Sequence, residues 1–349
     1  MRPKKVLLER GGCEAAYSGQ TGQLCDGYRW PPHHLPGVDS MSTQPRSIPA
    51  LDRIARTVLT YRPPQHTCPN VQIIQGDCTV AMASILSGTV DLVVTSPPYA
   101  DQRIRTYGGI TPSGYVEWFL PISDEIFRVL KPSGSFVLNI KERVVDGERH
   151  TYVMELILEM RKRGWLWTEE YIWHKKNCYP GKWPNRFRDA WERCLHFTKS
   201  KKFAMYQDAV RVPMGDWKNA RLKNLSATDK RRDESKVLSG FGKKIENWVG
   251  RDLAYPPNVL HFATECANRN HSAAFPEALP EWFINLFSKP GDIVLDPFMG
   301  SGTTLRVAKR LGRRSIGVEM VPEYCERVRK ELSYDLAGEQ NLNGSAHSR

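Results

Sequence analysis

Along most of the chain, short apolar runs alternate with stretches whose apolar residues repeat every three or four positions. Residues 71–77 form a β-rich run that ends in Gly-Asp, and Val90–Thr95 is almost continuously apolar, as in a strand buried on both faces. Met82, Ile85 and Leu86 lie between these runs at helical spacing. The same reasoning predicts a helix around Ile122–Leu130, a strand at Ser135–Ile140, a helix around Val153–Met160 that ends at Gly164, and a strand at Trp165–Trp173.

The regular alternation returns near the C-terminus. The pattern there predicts a helix at 281–288, a strand at Asp292–Leu295, a glycine-rich turn, a helix at 303–311 capped by Gly312, a strand at Ser315–Glu319 and a helix at Pro322–Leu332. Strands that alternate repeatedly with helices are typical of the α/β class. We therefore expect a doubly wound, mostly parallel sheet.

Two segments do not follow this pattern. Residues 1–50 are rich in Gly, Pro and Ser without lasting periodicity, and Met41 begins a stretch that looks like a more natural start. We interpret them as a disordered extension or a misplaced start; an arm that contacts a partner is the alternative. Residues 181–262 contain 18 Lys and Arg against 9 Asp and Glu, and they read as an irregular, basic insertion.

The composition narrows the class of protein. The 349 residues include 50 Lys and Arg and 38 Asp and Glu, which gives a net charge of +12 and favours a polyanionic partner. The eight cysteines are scattered without a C-x-x-C pair, so neither a zinc ribbon nor a disulfide framework is expected, and no metal site is predicted. No apolar run approaches the ~18 residues of a membrane helix, and no secretory signal is recognised. We therefore expect a cytoplasmic protein without a membrane partner.

A first motif joins a strand, an acidic residue and a glycine-rich turn. The predicted strand ends in Asp296, glycines follow at Gly300 and Gly302, and a helix begins directly afterwards. Glycines let a backbone approach a ligand closely at the carboxyl edge of a parallel sheet. A second strand ends about 20 residues later in Glu319, whose carboxylate can accept hydrogen bonds from ribose hydroxyls. The motif is neither a phosphate loop nor a complete dinucleotide fingerprint, and an ordinary tight turn with two surface acids is the alternative.

A second motif, Ser-Pro-Pro-Tyr, follows the predicted strand that ends at Thr95. Pro97 and Pro98 fix two φ angles and remove two N–H donors, which leaves a stiff ledge of hydrogen-bond acceptors. Ser96 adds a hydroxyl and Tyr99 a flat ring. Such a ledge suits a planar ligand that donates hydrogen bonds, such as an exocyclic amine. A proline-rich loop that merely ends a strand is the alternative.

Together, the two motifs resemble those of the S-adenosylmethionine-dependent DNA amino-methyltransferases. Thr95–Tyr99 is similar to their catalytic loop, and Asp296–Thr304 is similar to their cofactor loop. The catalytic loop comes first here, with a variable region between, which resembles the β group, a circular permutation of the Rossmann-like methyltransferase fold. The resemblance covers about residues 70–335. It implies an N-terminal extension at 1–50, a catalytic half at 51–180, a target-recognition region at 181–262, a cofactor-binding half at 263–335 and a tail at 336–349.

The resemblance implies a role for individual residues of the cofactor site. The cofactor loop would wrap the methionine end of S-adenosylmethionine, Glu319 would hold the ribose, and Asp77 would face the adenine amino group. Residues 271–280, with Phe275 and Pro276, would pack beside the methionine end, although a plain proline-bounded helix start is the alternative. The residues predicted to bind the cofactor are Asp77, Phe275, Pro276, Asp296, Pro297, Phe298, Gly300, Ser301, Gly302, Thr303, Thr304 and Glu319.

The catalytic residues implied by the resemblance are Thr95, Ser96, Pro97, Pro98 and Tyr99. The target base would flip out of double-stranded DNA and stack on Tyr99, while the Ser96 hydroxyl and the Pro97 carbonyl accept hydrogen bonds from its amino group. The amino lone pair would then attack the sulfonium methyl in line. Carbon-5 methylation of cytosine would instead need a Pro-Cys dipeptide, and this chain contains none.

The identity of the base is read from position 96. Serine there resembles the cytosine-N4 enzymes, whereas adenine-N6 enzymes usually carry Asp or Asn, so adenine-N6 methylation stays the alternative. An RNA or protein methyltransferase and an inactive DNA-binding protein are further alternatives. The resemblance also implies a prokaryotic or phage restriction–modification system with a possible companion restriction endonuclease. The residues predicted to bind DNA are Lys182, Arg186, Arg188, Lys201, Lys202, Arg231 and Arg232.

Overall fold

The computed structural model describes residues 70–102, 108–178, 180–181, 184–215, 250–264 and 275–344, with side chains up to residue 333. All the described residues lie in the unit Arg56–Arg349. The expected extension at 1–50 lies outside the described residues, as do Lys182, Arg231, Arg232 and residues 271–274.

Six α-helices lie in the described ranges: α1 (Cys78–Met82), α2 (Tyr115–Val129), α3 (Tyr152–Lys162), α4 (Ala278–Phe287), α5 (Thr303–Arg310) and α6 (Pro322–Gly344). The strands there are β1 (Val71–Gln75), β2 (Val90–Thr95), β3 (Leu130–Ile140), β4 (Val144–Val145), β5 (Glu148–Arg149), β6 (Leu166–Lys175), β7 (Trp191–Thr198), β8 (Val212–Pro213), β9 (Leu253–Ala254), β10 (Val259–Phe262), β11 (Ile293–Asp296) and β12 (Arg314–Glu319). Among the described helices, none combines the length and apolarity that a membrane crossing requires.

Eight strands form one central sheet in the order β1-β12-β11-β2-β3-β7-β6-β10. Every neighbouring pair is parallel except the two that involve β7, which runs antiparallel to β3 and to β6. The predicted α/β class with a mostly parallel sheet is therefore confirmed.

The expectation that residues 181–262 are irregular is wrong for two stretches, because β7 and β10 belong to the central sheet. Charged residues interrupt the apolar pattern of β7 and obscure it in the sequence. In the structure these charges are neutralised by partners outside β7. Arg193 pairs with Glu170 of β6 and with Glu142, which follows β3, and Glu192 pairs with Lys175 of β6. Paired charges can be buried in a sheet at acceptable cost, whereas isolated ones cannot.

Helices cover both faces of the sheet. On one face, α2 and α3 bury Phe119, Ile126 and Leu156 against the strands. On the other face, Phe283 of α4 and Val307 of α5 pack in a second core cluster. β2 contributes to both clusters, since alternate strand residues point to opposite faces. This two-sided burial explains the continuous apolar run in its sequence.

Helix boundaries differ from the sequence pattern at two places. α1 is only five residues long, and Leu86, which the helical spacing included, lies beyond it and is 76% exposed. α6 continues to Gly344 rather than ending near Leu332. Gly164, by contrast, has φ +99° directly after α3, as expected of a residue that terminates a helix.

The loops that follow the parallel strands all emerge at one edge of the sheet. Because β7 is antiparallel, it begins at this same edge, directly after the connection 176–190 from the end of β6. Ligands of open α/β sheets bind at the carboxyl ends of the strands. The edge therefore brings together the ends of β1, β2, β3, β6, β10, β11 and β12.

Candidate active site

A cavity of about 690 Å³ opens at this edge, and both sequence motifs line it. Its volume is within the usual range of small-molecule sites. The predicted site residues on its wall are Asp77, Ser96, Pro97, Pro98, Tyr99, Phe275, Asp296, Pro297, Phe298, Gly300, Ser301, Thr303 and Glu319. The remaining predicted catalytic and cofactor-binding residues, Thr95, Pro276, Gly302 and Thr304, are buried and do not line the cavity.

The two motif loops are joined through Asp296. Thr95 Oγ1 donates a hydrogen bond of 2.7 Å to Asp296 Oδ1. Thr304 Oγ1 donates one of 2.7 Å to Oδ2, and the backbone N–H of Phe298 donates one of 3.1 Å to Oδ1. The carboxylate thus fixes the end of β2, the glycine-rich turn and the start of α5 relative to one another.

Burial raises the pKa of Asp296 from its ordinary value of 3.8 to about 6. The hydrogen bonds from Thr95, Thr304 and Phe298 partly offset this increase, because they stabilise the ionised carboxylate. The nearby charge of Glu319 raises the pKa further. A carboxylate that is costly to ionise gains most from a cationic ligand. The electrostatics of this wall therefore favour a ligand that carries a positive charge.

The glycine-rich turn depends on backbone conformations that favour glycine. Gly302 precedes α5 with φ +79°, and a Cβ atom there would lie 2.7 Å from Val328 Cγ1. Gly300 has φ +53°, and its N–H donates a hydrogen bond of 2.9 Å to Glu319 Oε2. The N–H of Val321 binds the other oxygen of Glu319 at 2.9 Å. This carboxylate is consequently held in place while facing the cavity.

Three carboxylates lie at the ends of three neighbouring strands. Asp296 ends β11, Glu319 ends β12, and Asp77 follows β1, where it caps α1 by accepting from the N–H of Thr79 at 2.9 Å. Strands of a sheet are about 4.8 Å apart, so the row extends over roughly 10 Å. Such a row can accept hydrogen bonds from an elongated ligand with donors at both ends and in the middle. Trp118 and Phe298 pack at 5.9 Å between ring centroids and give the cavity an aromatic wall beside this row.

The Ser-Pro-Pro-Tyr loop is held by contacts to several elements. Tyr115 Oη of α2 donates to the carbonyl oxygen of Pro98 at 3.0 Å. Ser96 Oγ donates to Tyr99 Oη at 3.3 Å, and Tyr99 Oη donates to Glu192 Oε2 at 2.7 Å. Burial, together with the charge of Glu192, holds the pKa of Tyr99 well above its ordinary value, so the phenol keeps its proton.

Several cavity residues were not anticipated from the sequence. Asn139, Lys141, Lys175, Glu192 and Trp173 come from β3, β6 and β7 or their ends. Asn139, Lys141 and Lys175 are polar residues at or near the end of a predicted strand, a signal that is too common to single out a site. Glu192 lies in the segment that was expected to be irregular. The additional lining residues are Gly76, Cys78, Gln102, Gly108, Gly109, Ile110, Trp118, Thr264, Met299, Val318 and Met320.

The four described residues that were predicted to bind DNA are divided between the two edges of the sheet. Arg186 and Arg188 lie on the connection that begins at the cavity edge, and between them Phe187 is 93% exposed. Lys201 and Lys202 follow the far end of β7, where Thr198 pairs with Ser135 at the start of the parallel stretch of β3. The structure therefore brings the two arginines, but not the two lysines, to the side on which the cavity opens.

The described cysteines near the cavity are held as thiols. Burial raises the pKa of Cys78 to about 12, and burial together with Glu192 raises that of Cys194 well above its ordinary value. A thiol that keeps its proton is a poor nucleophile. The described part of the chain also contains no cluster of three metal-binding side chains.

Comparisons with known proteins give a consistent result. A family model described as DNA methylase, of the N6/N4 methyltransferase type, matches residues 90–330. The type II methyltransferase M.PvuII of Proteus hauseri is 32% identical over 285 residues, covering 75% of this chain and 83% of that protein. The type II methyltransferase M.BglII of Bacillus subtilis is 30% identical over 285 residues, covering 78% of this chain and 71% of that protein. The solved structure of the cytosine-N4-specific PvuII DNA methyltransferase matches with a TM-score of 0.56 and 27% identity, covering 75% of this chain and 86% of that one.

Proposed function

The chain belongs to the DNA methylase family, and on that premise we propose that it transfers a methyl group from S-adenosylmethionine to the exocyclic N4 of cytosine in double-stranded DNA. The observation that carries this proposal is the hydrogen bond from Thr95 to Asp296. It joins an acceptor ledge for an amino group to an acidic, glycine-lined wall within one cavity. A methyl donor and a methyl acceptor bound at these two places would meet inside it.

The donor groups of S-adenosylmethionine fit the row of acceptors. Its ammonium group, ribose hydroxyls and adenine amino group are complementary to Asp296, Glu319 and Asp77 in that order along the strand ends. When bound, this cofactor supplies a methyl group attached to a positively charged sulfur. The positive charge makes the methyl carbon susceptible to attack by a weak nucleophile. The aromatic wall of Trp118 and Phe298 would pack against the apolar parts of the cofactor.

The Ser-Pro-Pro-Tyr ledge would hold the base that accepts the methyl group. The amino lone pair of cytosine is conjugated with the ring, so the amino group needs orientation and hydrogen-bond acceptors before it can attack. Ser96 Oγ and the Pro97 carbonyl would accept its two N–H bonds, while the Tyr99 ring stacks on a base flipped out of the duplex. Pro97 and Pro98 make the ledge rigid, so little reorganisation accompanies the transfer.

Cytosine is favoured over adenine by two observations. Serine at position 96 resembles the cytosine-N4 type, and the PvuII methyltransferase that this chain resembles in sequence and structure is described as cytosine-N4-specific. Methylation of adenine N6 remains the second candidate, since the family model covers both types of amino group.

The DNA duplex would lie over the cavity edge. Arg186 and Arg188 would contact phosphates there, with the basic segment 181–262 supplying target recognition. M.PvuII and M.BglII are named type II methyltransferases. We extend the proposal to a companion restriction endonuclease whose recognition sequence this protein protects.

The test is methyl transfer from cofactor labelled in the methyl group to duplex DNA, followed by mass spectrometry of the nucleosides. N4-methylcytosine is expected as the product. N6-methyladenine would overturn the choice of base, while transfer only to RNA or protein would overturn DNA as the substrate. Sequencing that maps the modified positions would give the recognition sequence in the same samples.

A further inference from the structure

A buried carboxylate lies beside the acceptor ledge without a role in the chemistry described so far. Glu192, at the start of β7, is 6% exposed and lines the cavity. One of its oxygens accepts the Tyr99 hydroxyl at 2.7 Å, and the other forms an ion pair with Lys175 of β6. Burying a carboxylate is costly. Its contact with the predicted catalytic loop suggests that this cost serves the reaction.

The hydrogen bonds between Ser96, Tyr99 and Glu192 run in one direction. Tyr99 Oη has two acceptors within reach, Glu192 Oε2 at 2.7 Å and Asn139 Oδ1 at 3.3 Å. Its single proton goes to Glu192, because the carboxylate is both closer and charged. The Tyr99 oxygen can then accept from Ser96 Oγ, which lies 3.3 Å away. With its proton directed at Tyr99, Ser96 presents only lone pairs to the cavity. The buried carboxylate thus makes Ser96 an acceptor, as an amino-group substrate requires.

We infer that Glu192 receives the proton that the target amino group loses, through a relay in which the hydroxyls of Ser96 and Tyr99 are the two intermediate carriers. This inference rests on the proposed amino-methyl transfer. Glu192 acts on the base through Tyr99 and is therefore a positioning residue. Ser96 is the carrier placed to touch the amino group.

The step balances in atoms and charge. The amino lone pair forms the new N–C bond, and the sulfur of the donor keeps the electron pair of the broken S–C bond. The nitrogen then carries a positive charge and one surplus proton. That proton moves to Ser96 Oγ as the Ser96 proton moves to Tyr99 Oη and the Tyr99 proton moves to Glu192 Oε2. Glu192 becomes neutral, and it returns the proton to water after the product leaves.

Tyr99→Phe is the decisive variant. It removes the hydroxyl from the middle of the relay, while it keeps the aromatic ring and leaves the ion pair of Glu192 with Lys175 intact. The rate is measured in single turnovers at saturating cofactor and DNA, so that product release does not hide the chemical step. We expect a rate at least ~10-fold lower, with the KM for DNA changed less than twofold. Tyr171→Phe is the matched control, because Tyr171 is a buried tyrosine of β6 outside the cavity. We expect its rate to be unchanged.

Glu192→Gln tests the end of the relay. It keeps the shape of the side chain but removes its negative charge, and we expect a loss similar to that of Tyr99→Phe. The double variant should be no slower than the slower single one, since both cut the same chain. Glu192→Asp should recover part of the rate because it restores a carboxylate. Thermal unfolding of each variant, read in parallel, identifies any that are misfolded.

The outcomes separate the two proposals. If the wild type makes N4-methylcytosine and Tyr99→Phe matches it in single-turnover rate, the relay is wrong and the proposed function stands. A higher KM for DNA with an unchanged single-turnover rate would also overturn the relay, because it would show that the hydroxyl only orients the ring. If the wild type methylates no DNA, the proposed function fails and the relay fails with it.

Discussion

Thr95 and Asp296 are separated by 201 positions in the chain, yet the threonine hydroxyl donates a hydrogen bond of 2.7 Å to the carboxylate. Thr95 ends the strand that leads into the acceptor ledge, and Asp296 ends the neighbouring strand that leads into the glycine-rich turn. A single buried contact therefore sets the distance between the two halves of the proposed reaction site.

Thr95→Val should disturb both halves. The change removes the hydroxyl, keeps the size of the side chain and leaves one oxygen of a buried carboxylate with fewer donors. We expect a loss of about 1–3 kcal/mol in the free energy of unfolding and weaker cofactor binding. Urea denaturation and calorimetric titration with the cofactor measure the two effects. Thr95→Ser keeps the donor and should retain most of the binding; equal binding by the Val and Ser variants would contradict the role of the contact.

Asp296→Asn should remove the pH dependence that Asp296 gives to the free energy of unfolding, and it should also weaken cofactor binding. The folded protein holds the Asp296 proton up to about pH 6, whereas an unfolded chain releases it near the ordinary pKa of 3.8. The contribution of this group to stability therefore declines as pH rises from about 4 to about 6. The variant should lack this decline, so its free energy of unfolding relative to the wild type should rise by up to about 3 kcal/mol between pH 4 and pH 7. Thermal unfolding at pH 4.5 and pH 7 is the measurement.

Cofactor binding to the wild type should weaken as pH falls through about 6, since the protonated Asp296 no longer attracts an ammonium group. Asp296→Asn should bind weakly at every pH. Titration with cofactor between pH 5 and pH 8 measures both. A wild-type dissociation constant that does not change with pH would rule out a direct contact between Asp296 and the ammonium group.

Gly302→Ala should lower the free energy of unfolding by more than the backbone strain of a positive φ angle alone would. The new Cβ atom would combine φ +79° with an approach of 2.7 Å to Val328. Gly291→Ala is the matched control, because Gly291 has φ +87° but no atom within 4 Å of the added Cβ position. We expect about 1 kcal/mol of destabilisation in the control and clearly more at Gly302, together with loss of cofactor binding. Similar unfolding free energies for the two variants would show that the turn absorbs the contact.

Removing basic side chains at the cavity edge should weaken DNA binding more than removing them at the opposite edge. The double variant Arg186→Ala/Arg188→Ala is expected to weaken binding to duplex DNA and to lower the slope of binding against salt concentration by about 1–2. Lys201→Ala/Lys202→Ala removes the same charge at the opposite edge and should have a much smaller effect. Fluorescence anisotropy at several salt concentrations measures both. Equal effects would mean that the duplex does not lie over the cavity edge.

The sequence by itself determined the elements and motifs whose signal is local. The apolar run of Val90–Thr95, the glycines around Gly302 and the acidic end at Glu319 each follow from neighbouring residues, and the structure has the predicted strands, turn and helix there. Backbone propensity and the alternation of buried positions act over a few residues, so a linear pattern can reveal them.

Only the tertiary structure decided which distant groups share the site. Nothing near Glu192 in the sequence indicates that its charge is matched by Lys175 or that it accepts a hydrogen bond from Tyr99, since these residues come from distant parts of the chain. The antiparallel direction of β7 likewise places Arg186 and Lys201 at opposite edges although only 15 positions separate them. Burial of a charge and the direction of a strand depend on partners that the fold brings together, and these long-range pairings leave no local pattern.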